Sequence, residues 1–499
     1  MNSKRGIKNI IFGLLYQFVV LAFGLIMPRL LIVSYGSEVN GLLSSVNQLY
    51  SCLALLETGV GTASLQALYR TVGTQDRAAT CGVMAATDHF YKRTGLLYLA
   101  CVLLLTFIYP AVVSSGIPYL TCAAVIFLLG ISGVVNYLVH GKYRILLQAE
   151  GKSYLLSNLS TCTYVLSNLA KAVLIYLGFN VVTVQLVYVA VTMLQVGYIS
   201  LHIARHYKWL DLSVSPDFQS ISQKNAVLVH QIAGLVFSNT DVLILTFVSG
   251  LKTVSVYTLF AGLYGVVKSL LFSILDGIKF AMGQKFHKDF SGYVRLHDIF
   301  ELYYMALTFA AYTVLHILIL PFLRIYTRGI TDISYIDKYL PVLFTAVFLL
   351  QCARGPAGLA IDYAEHFEQT KKRAVLEMAI NLAVTVAAVF RFGIYGALIG
   401  TIAALLYRAN DMIIYANRVI LNRSPWITYR RWLIDLVLFL AINSASRCIE
   451  WDTPSYLVLF GRGAALGACV LAAYLTAVSV LEPKTFREAA AFIRNWRKP

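Results

Sequence analysis

Ten ionisable side chains interrupt the long apolar stretches of this 499-residue sequence. If those stretches lie in a lipid bilayer, a charge near its centre costs about 2.5–3.5 kcal/mol, so each position predicts a function or a charge partner. Six are cations and four are carboxylates, a balance that favours an anionic ligand over a cationic one. The positions are Arg29, Glu57, Lys171, Asp241, Lys268, Asp276, Arg354, Arg408, Asp411 and Arg462.

Four of the cations are suited to a phosphate-like group. Lys268 lies towards the middle of its apolar stretch, Arg354 lies in the last third, and Arg29 and Lys171 lie near the C-terminal ends of theirs. Lysine binds phosphate as a compact point charge, and arginine binds it with two parallel hydrogen bonds. The alternatives are that Lys268 extends to a membrane interface and that Arg354 anchors the inner end of its helix. Pro356 predicts a kink beside Arg354, because proline removes a helix hydrogen bond.

Two carboxylates are candidate sites for a proton or another cation. Glu57 precedes Gly59 and Gly61 and is either such a site or a structural carboxylate bonded to neighbouring helices. Asp241 and Arg29 occupy nearly matching places in the two halves of the chain. They form either a salt bridge between the halves or separate pairs within each half.

The remaining polar groups favour structural roles. Arg408 and Asp411 are three residues apart and should form an ion pair on one helix face. His366 has acidic neighbours that suggest a metal or proton site, although we expect a solvated helix end; they are Asp362, Glu365 and Glu368. No catalytic triad or phosphate loop is visible, and the 8 cysteines include no CxxC pair. We therefore expect no catalytic residue, cofactor, metal site or disulfide.

Long apolar blocks must position these side chains. Hydrophobic residues make up 59% of the chain and charged residues only 13%, which is typical of a membrane protein. A helix needs about 20 residues to cross about 30 Å of hydrocarbon, and it satisfies its own backbone hydrogen bonds there. We predict an all-α integral membrane protein with about 14 transmembrane helices, the first of them retained and not cleaved as a signal peptide. The blocks lie near 9–33, 41–68, 94–113, 119–139, 154–177, 181–204, 225–249, 254–276, 299–320, 339–361, 374–390, 394–415, 432–449 and 455–481.

The distribution of the positive residues, which give the chain a net charge of +17, indicates how the protein is oriented in the membrane. With the N-terminus in the cytoplasm, 29 of the 41 lysines and arginines lie in inside segments and 6 lie in outside loops. Positive residues accumulate on the cytoplasmic side of membrane proteins. Both termini are therefore expected in the cytoplasm, and the basic balance does not indicate nucleic acid.

A weak internal repeat appears when the first six blocks are shifted by 215 residues onto the next six. An even number of helices preserves orientation, so the repeats are parallel and related by a pseudo-two-fold axis along the membrane normal. The predicted division is an N-terminal lobe (1–210), a C-terminal lobe (211–420), and two additional helices with a basic cytoplasmic tail (421–499).

Five short segments follow one another in a set order: 35–42 (YGSEVNGL), 55–63 (LLETGVGTA), 146–152 (LLQAEGK), 239–245 (NTDVLIL) and 255–257 (SVY). Together they resemble Wzx-type polysaccharide flippases of the multidrug/oligosaccharidyl-lipid/polysaccharide exporter superfamily. The resemblance implies two six-helix lobes around a central cavity. It also implies alternating access that moves a polyprenyl-pyrophosphate-linked oligosaccharide to the outer leaflet of the bacterial inner membrane.

The chemistry of the candidate residues predicts their roles in a cavity of this kind. Lys268, Arg354, Arg29 and Lys171 would line a cationic cavity. Glu57 and Asp241 would serve coupling to H+ or Na+, or gating, unless the membrane potential alone drives transport. Membrane lipids, a polysaccharide polymerase and glycosyltransferases are the further partners that we expect for such a flippase.

Other functions compete with this interpretation. A drug or cation antiporter and a peptidoglycan-precursor flippase belong to the same superfamily, although the excess of cations in the spans favours an anionic substrate. A membrane glycosyltransferase, ligase or polymerase would need a sizeable outer loop with catalytic groups. The longest outer loop covers only about 323–338, so we predict that the protein is not an enzyme.

Overall fold

The computed structural model describes residues 3–53, 57, 60–221 and 225–496. Across these ranges the chain is helical and forms no strand, which confirms the all-α prediction. The chain divides after Thr258 into two compact units. The first contains α1 (Ser3–Tyr35), α2 (Ser37–Leu53), α3 (Val60–Gly73), α4 (Arg77–Val112), α5 (Tyr119–Val135), α6 (Gly141–Ala149), α7 (Ser153–Tyr176), α8 (Val181–His206), α9 (Asn225–Val248) and the start of α10 (Gly250–Lys288).

The second unit contains the rest of α10 and eight further helices of the described chain. They are α11 (Phe290–Tyr326), α12 (Leu340–Ala353), α13 (Gly355–Tyr363), α14 (Phe367–Phe392), α15 (Ile394–Tyr415), α16 (Trp426–Ser446), α17 (Tyr456–Leu481) and α18 (Pro483–Trp496). The division into 1–210, 211–420 and 421–499 concerns the internal repeat and stays a prediction.

Ten helical segments of the described residues are long and apolar enough to cross a membrane. Each apolar block predicted from the sequence overlaps a helix or a broken pair of helices. The predicted spans outside the set of ten are the pair α2 and α3, together with α7, α9 and α16. α2 and α3 each have fewer residues than a span requires.

Breaks in the helices coincide with candidate residues. α2 ends at Leu53 and α3 begins at Val60, so Glu57 lies between two helices. α12 and α13 meet at Arg354, directly before Gly355 and Pro356, which confirms the predicted kink. Interrupted helices within membranes are tolerated where the freed backbone groups find other partners, and they frequently line binding sites.

α2 packs closely against α9 and the start of α10 within the first unit. The Cβ atom of any larger residue at Gly41 would overlap the carbonyl group of Leu251, so glycine permits this approach. Asn40 Nδ2 donates to Ser255 Oγ over 2.8 Å, and Thr246 Oγ1 donates to Ser45 Oγ over 2.8 Å. Asn40 and Ser255 are separated by 215 residues, the shift of the internal repeat. Contact between matching positions is what a two-fold axis between them would produce.

A buried ionic network joins α11, α16 and α18 in the second unit. Glu301 is 1% exposed and accepts from Arg423 and Arg431, each over 2.6 Å. Arg431 also donates to Glu482 over 2.8 Å, directly before α18 begins. Burial opposes the charge on Glu482, but hydrogen bonds and charges from Arg431 and Arg430 outweigh it and lower the pKa of Glu482. The predicted basic tail is thus in part a helix that ionic contacts attach to the bundle.

Replacing Glu301 with glutamine is expected to destabilise the protein by about 3–5 kcal/mol, because it leaves two buried arginines without their shared carboxylate. Thermal unfolding of the purified protein would measure the loss. The matched control is Glu368→Gln, since Glu368 has a 74% exposed side chain and pairs with Lys371 at 3.8 Å. That change should cost less than about 1 kcal/mol. Equal losses in the two variants would contradict a stabilising role for the network.

Candidate functional site

Lys268 lies on α10, and a neutral group rather than an acid holds its ammonium group. Its Nζ atom donates to Gln351 Oε1 of α12 over 2.8 Å. The ring centres of Phe272 and Phe348 lie 5.5 and 5.9 Å from Nζ. Among the described residues, no carboxylate forms an ion pair with Lys268. No acid of the described chain therefore compensates its charge.

Arg354 occupies the break between α12 and α13 and begins a chain of charges. It contacts Glu377 over 2.7 Å, and Glu377 contacts Arg408 over 3.3 Å. Arg408 pairs with Asp411 over 2.8 Å, which confirms the predicted ion pair on α15. Asp411 also pairs with Arg373 over 2.6 Å. Three arginines thus share two carboxylates, and the chain carries one net positive charge.

Lys268, Gln351 and Arg354 form what we call the cationic site. Gln351 and Arg354 are three residues apart, one helical turn, so Lys268 contacts the turn of α12 that leads to Arg354. The Arg354 side chain is 24% exposed, so it is not fully enclosed by its contact with Glu377. An ammonium and a guanidinium group together suit an anion with several oxygens, such as a phosphate or diphosphate.

Lys171 and Arg29 belong to the first unit. Lys171 Nζ lies 4.3 Å from the ring centre of Tyr188, so α8 supplies a cation–π contact. No ion pair joins Lys171 to a carboxylate of the described chain. Arg29 is partly buried on α1. Lys268 contacts Gln351, three residues before Arg354, and a shared cavity for Lys268, Arg354, Lys171 and Arg29 stays a prediction.

Glu57 accepts a hydrogen bond from the hydroxyl group of Tyr91 on α4. Glycines make room for this pair: a Cβ atom at Gly61 would lie 3.3 Å from Glu57 Oε1, and one at Gly141 would overlap the Tyr91 ring. A structural partner for Glu57 is one of the two expected alternatives. A hydroxyl donor also stabilises a carboxylate that exchanges a proton or cation, so coupling stays a prediction.

Asp241 is buried on α9 and accepts a hydrogen bond from Tyr257 over 2.8 Å. Tyr257 belongs to the short segment 255–257, which lies within α10. This contact connects two of the segments that carry the family resemblance. The pairing of Asp241 with Arg29 stays a prediction.

The ten sequence positions omit three buried carboxylates that the structure places in contact with helices of the second unit. Glu377 lies in the predicted block 374–390, Glu301 in 299–320 and Asp435 in 432–449. The rule that selected the ten would also have selected these three, because each interrupts an apolar block. With them the carboxylates number seven against six cations, so the excess of cations that the ten positions suggested is lost. His366 lies at the N-terminal end of α14 and shares a 2.9 Å hydrogen bond with Tyr415, in keeping with the expected helix end.

Several solved structures share this architecture. An inward-facing multidrug resistance MATE family transporter of the MOP superfamily is similar with a TM-score of 0.64 and 13% identity, over 83% of this chain and 98% of its own. Lipid II flippase MurJ, in an inward closed conformation, is similar with a TM-score of 0.63 and 14% identity, over 96% of this chain and 100% of its own. A MOP superfamily transporter from Pyrococcus furiosus is similar with a TM-score of 0.51 and 13% identity, over 84% and 97%.

No protein-family model matches the chain, and no curated protein matches it. At 13–14% identity the structural likeness concerns the fold. A transporter fold requires helices that cross the membrane, and ten helices of the described residues are long and apolar enough to do so. The chain is a multi-pass membrane protein with the fold of the MOP superfamily transporters.

Proposed function

We propose that this protein is a flippase that moves a polyprenyl-pyrophosphate-linked oligosaccharide from the cytoplasmic to the outer leaflet of the bacterial inner membrane. The observation that carries the proposal is the cationic site. Lys268 is held by the amide of Gln351 and not by an acid, and Arg354 lies one turn further on. A protein bears the cost of an uncompensated membrane charge when a ligand supplies the opposite charge.

A diphosphate headgroup fits the chemistry of this site. The guanidinium group of Arg354 would bind two phosphate oxygens in parallel, and the ammonium group of Lys268 would bind as a point charge. The rings of Phe272 and Phe348 beside Lys268 would cover the apolar side of the headgroup. These residues bind and orient a substrate and need form no bond with it, which agrees with a transporter and not with an enzyme.

The polarity of the site is the argument against a drug or cation antiporter. A cation exporter needs carboxylates that are available to its substrate, whereas Glu377 and Asp411 are both engaged by arginines. Pocket polarity does vary on this fold: a reverse polarity of the binding pocket suggests a different function for the MOP superfamily transporter from Pyrococcus furiosus. An anionic substrate is therefore compatible with the fold.

A peptidoglycan-precursor flippase is the second candidate, because MurJ, described as a lipid II flippase, is similar over 96% of the chain. The cationic site suits any lipid-linked anion. The identity of the transported glycan is therefore what distinguishes a polysaccharide flippase from a peptidoglycan-precursor flippase. For a polysaccharide flippase, glycosyltransferases would supply the substrate at the cytoplasmic face and a polymerase would consume it at the outer face. Both chain termini lie in the cytoplasm in this proposal, as the distribution of lysines and arginines predicts.

Ligand-induced stabilisation of the purified protein tests the substrate class. A ligand that binds only the folded state at about 100 times its Kd stabilises it by about 2.7 kcal/mol. We expect this shift with a polyprenyl pyrophosphate and not with the matching polyprenyl alcohol or a lipophilic cation. Stabilisation by the cation alone would contradict the proposal and favour the antiporter.

The membrane potential is expected to drive export without a coupling ion. Because the cytoplasm is negative, moving each negative charge outward is favoured by about 2.3 kcal/mol per 100 mV. Flipping in vesicles should therefore follow an imposed potential and survive both Glu57→Gln and Asp241→Asn. Transport that responds only to a pH or sodium gradient, and that disappears in either variant, would instead make that carboxylate the coupling site.

A further inference from the structure

A cleft of about 200 Å³ lies between α6, α7 and α8 in the first unit. Leu155, Leu159 and Ile199 are among the aliphatic side chains that line it, so its wall is mostly apolar. Tyr198 at its edge is 59% exposed, and Cys162 is exposed as well. Because α7 and α8 are predicted spans, the exposed side of the cleft faces lipid rather than water.

The cleft has one polar end. α7 begins at Ser153 and α8 ends at His206, so residues near these ends lie at the cytoplasmic side of the membrane in the predicted orientation. Asn158 and His202 line this end of the cleft. The His202 ring stacks on that of His206, with 4.3 Å between ring centres. An apolar channel that ends in hydrogen-bonding groups at the interface has the shape and polarity of a lipid site.

Two cations follow His202 of the polar end within six residues of the chain. Arg205 and Lys208 are both exposed, and within the described chain neither forms an ion pair. The nearby acid Glu150 is already engaged: it pairs with Lys152 over 2.6 Å and accepts from Tyr207 over 2.5 Å. The charge at the rim of the cleft is thus positive and open to an anion.

We propose that this cleft binds an anionic phospholipid of the cytoplasmic leaflet. One acyl chain lies along Leu155, Leu159 and Ile199. The phosphate lies at the rim, where Arg205 and Lys208 supply charge and the two histidines supply ring nitrogens. Basic pockets between transmembrane helices on the cytoplasmic side recognise lipid headgroups in this way, and cations near the membrane surface attract anionic lipids. The site belongs to the resident membrane and is separate from the transported substrate.

Natural cysteines provide the test. Cys162 lines the cleft, whereas Cys469 is also exposed but lies on α17 of the second unit. The full-length protein in detergent would be treated with N-ethylmaleimide, and the modified peptides would be followed by mass spectrometry. With phosphatidylglycerol at about ten times its Kd, modification of Cys162 should slow about tenfold, because only empty sites react. Modification of Cys469 should not change.

Two further ligands and two double variants separate the contributions of the acyl chain, the headgroup charge and the two cations. Phosphatidylcholine should protect Cys162 far less, and glycerol phosphate, which has no acyl chain, should not protect it. The double variant Arg205→Gln with Lys208→Gln should lose the preference for phosphatidylglycerol. The matched double variant Lys484→Gln with Arg487→Gln, at two exposed cations of α18, should keep it. Equal protection of Cys162 and Cys469, or equal protection by both phospholipids, would overturn the proposal.

Discussion

Replacing Lys268 with glutamine is expected to lower kcat/KM for the lipid-linked anion by about 10- to 100-fold. A hydrogen bond to a charged group is worth about 1.5–3 kcal/mol, and each 1.4 kcal/mol is a factor of about ten. Glutamine keeps a polar side chain of similar length that can still contact Gln351, so the fold should be retained. The loss would thus report the missing charge rather than a cavity.

Two variants control for this result. Lys268→Arg keeps the positive charge and should retain most transport. Lys279→Gln removes a charge from the same helix at an exposed site where Lys279 pairs with Asp362 over 3.3 Å, and it should transport normally. The measurement is the initial rate of flipping in vesicles with equal amounts of each protein. Normal transport by Lys268→Gln would show that the cationic site does not bind the substrate.

A disulfide between positions 40 and 255 is expected to stop transport completely. Asn40 and Ser255 are in direct contact where α2 meets α10, next to the close approach of Gly41 to Leu251. The loop before α2 is on the predicted outer side, and alternating access requires that side to open before a substrate can leave. A disulfide needs a Cα separation of about 4.4–6.8 Å, and the close approach of the α2 and α10 backbones at Gly41 favours such a separation.

The experiment uses Asn40→Cys with Ser255→Cys. The oxidised protein should be inactive, and reduction should restore its rate. The matched control is Thr163→Cys with Gln195→Cys, which replaces a 3.1 Å hydrogen bond between α7 and α8. These helices are consecutive and should move together, so a disulfide there should leave transport intact. Full activity of the oxidised 40–255 variant would mean that this contact does not open.

Local and periodic signals predicted much of the fold. The apolar blocks located the helices because a span must be long and apolar regardless of its neighbours. Pro356 located a break for a purely local reason, and the pair Arg408 and Asp411 followed from helical spacing. The repeat shift of 215 residues also aligned Asn40 with Ser255, two residues that the structure places in contact.

Local and periodic signals did not predict the contacts between helices that are distant in sequence. Nothing local to Lys268 indicates that its partner is the amide of Gln351, 83 residues away. The network around Glu301 depends on Arg423 and Arg431, which the positive-inside pattern assigned to an ordinary cytoplasmic loop. Charge counting describes where a loop lies, whereas only packing shows that its arginines are buried. The roles of Arg29, Lys171 and Asp241 depend on partners of the same distant kind.

Translocation of a defined polyprenyl-pyrophosphate-linked oligosaccharide by the purified protein tests the central claim most directly. Vesicles containing the protein, with the potential negative on the side where substrate is added, would be assayed for glycan that becomes accessible on the opposite leaflet. The proposed function predicts protein-dependent flipping that is lost in Lys268→Gln and retained in Lys279→Gln. Absence of flipping, together with export of a lipophilic cation by the same vesicles, would contradict it.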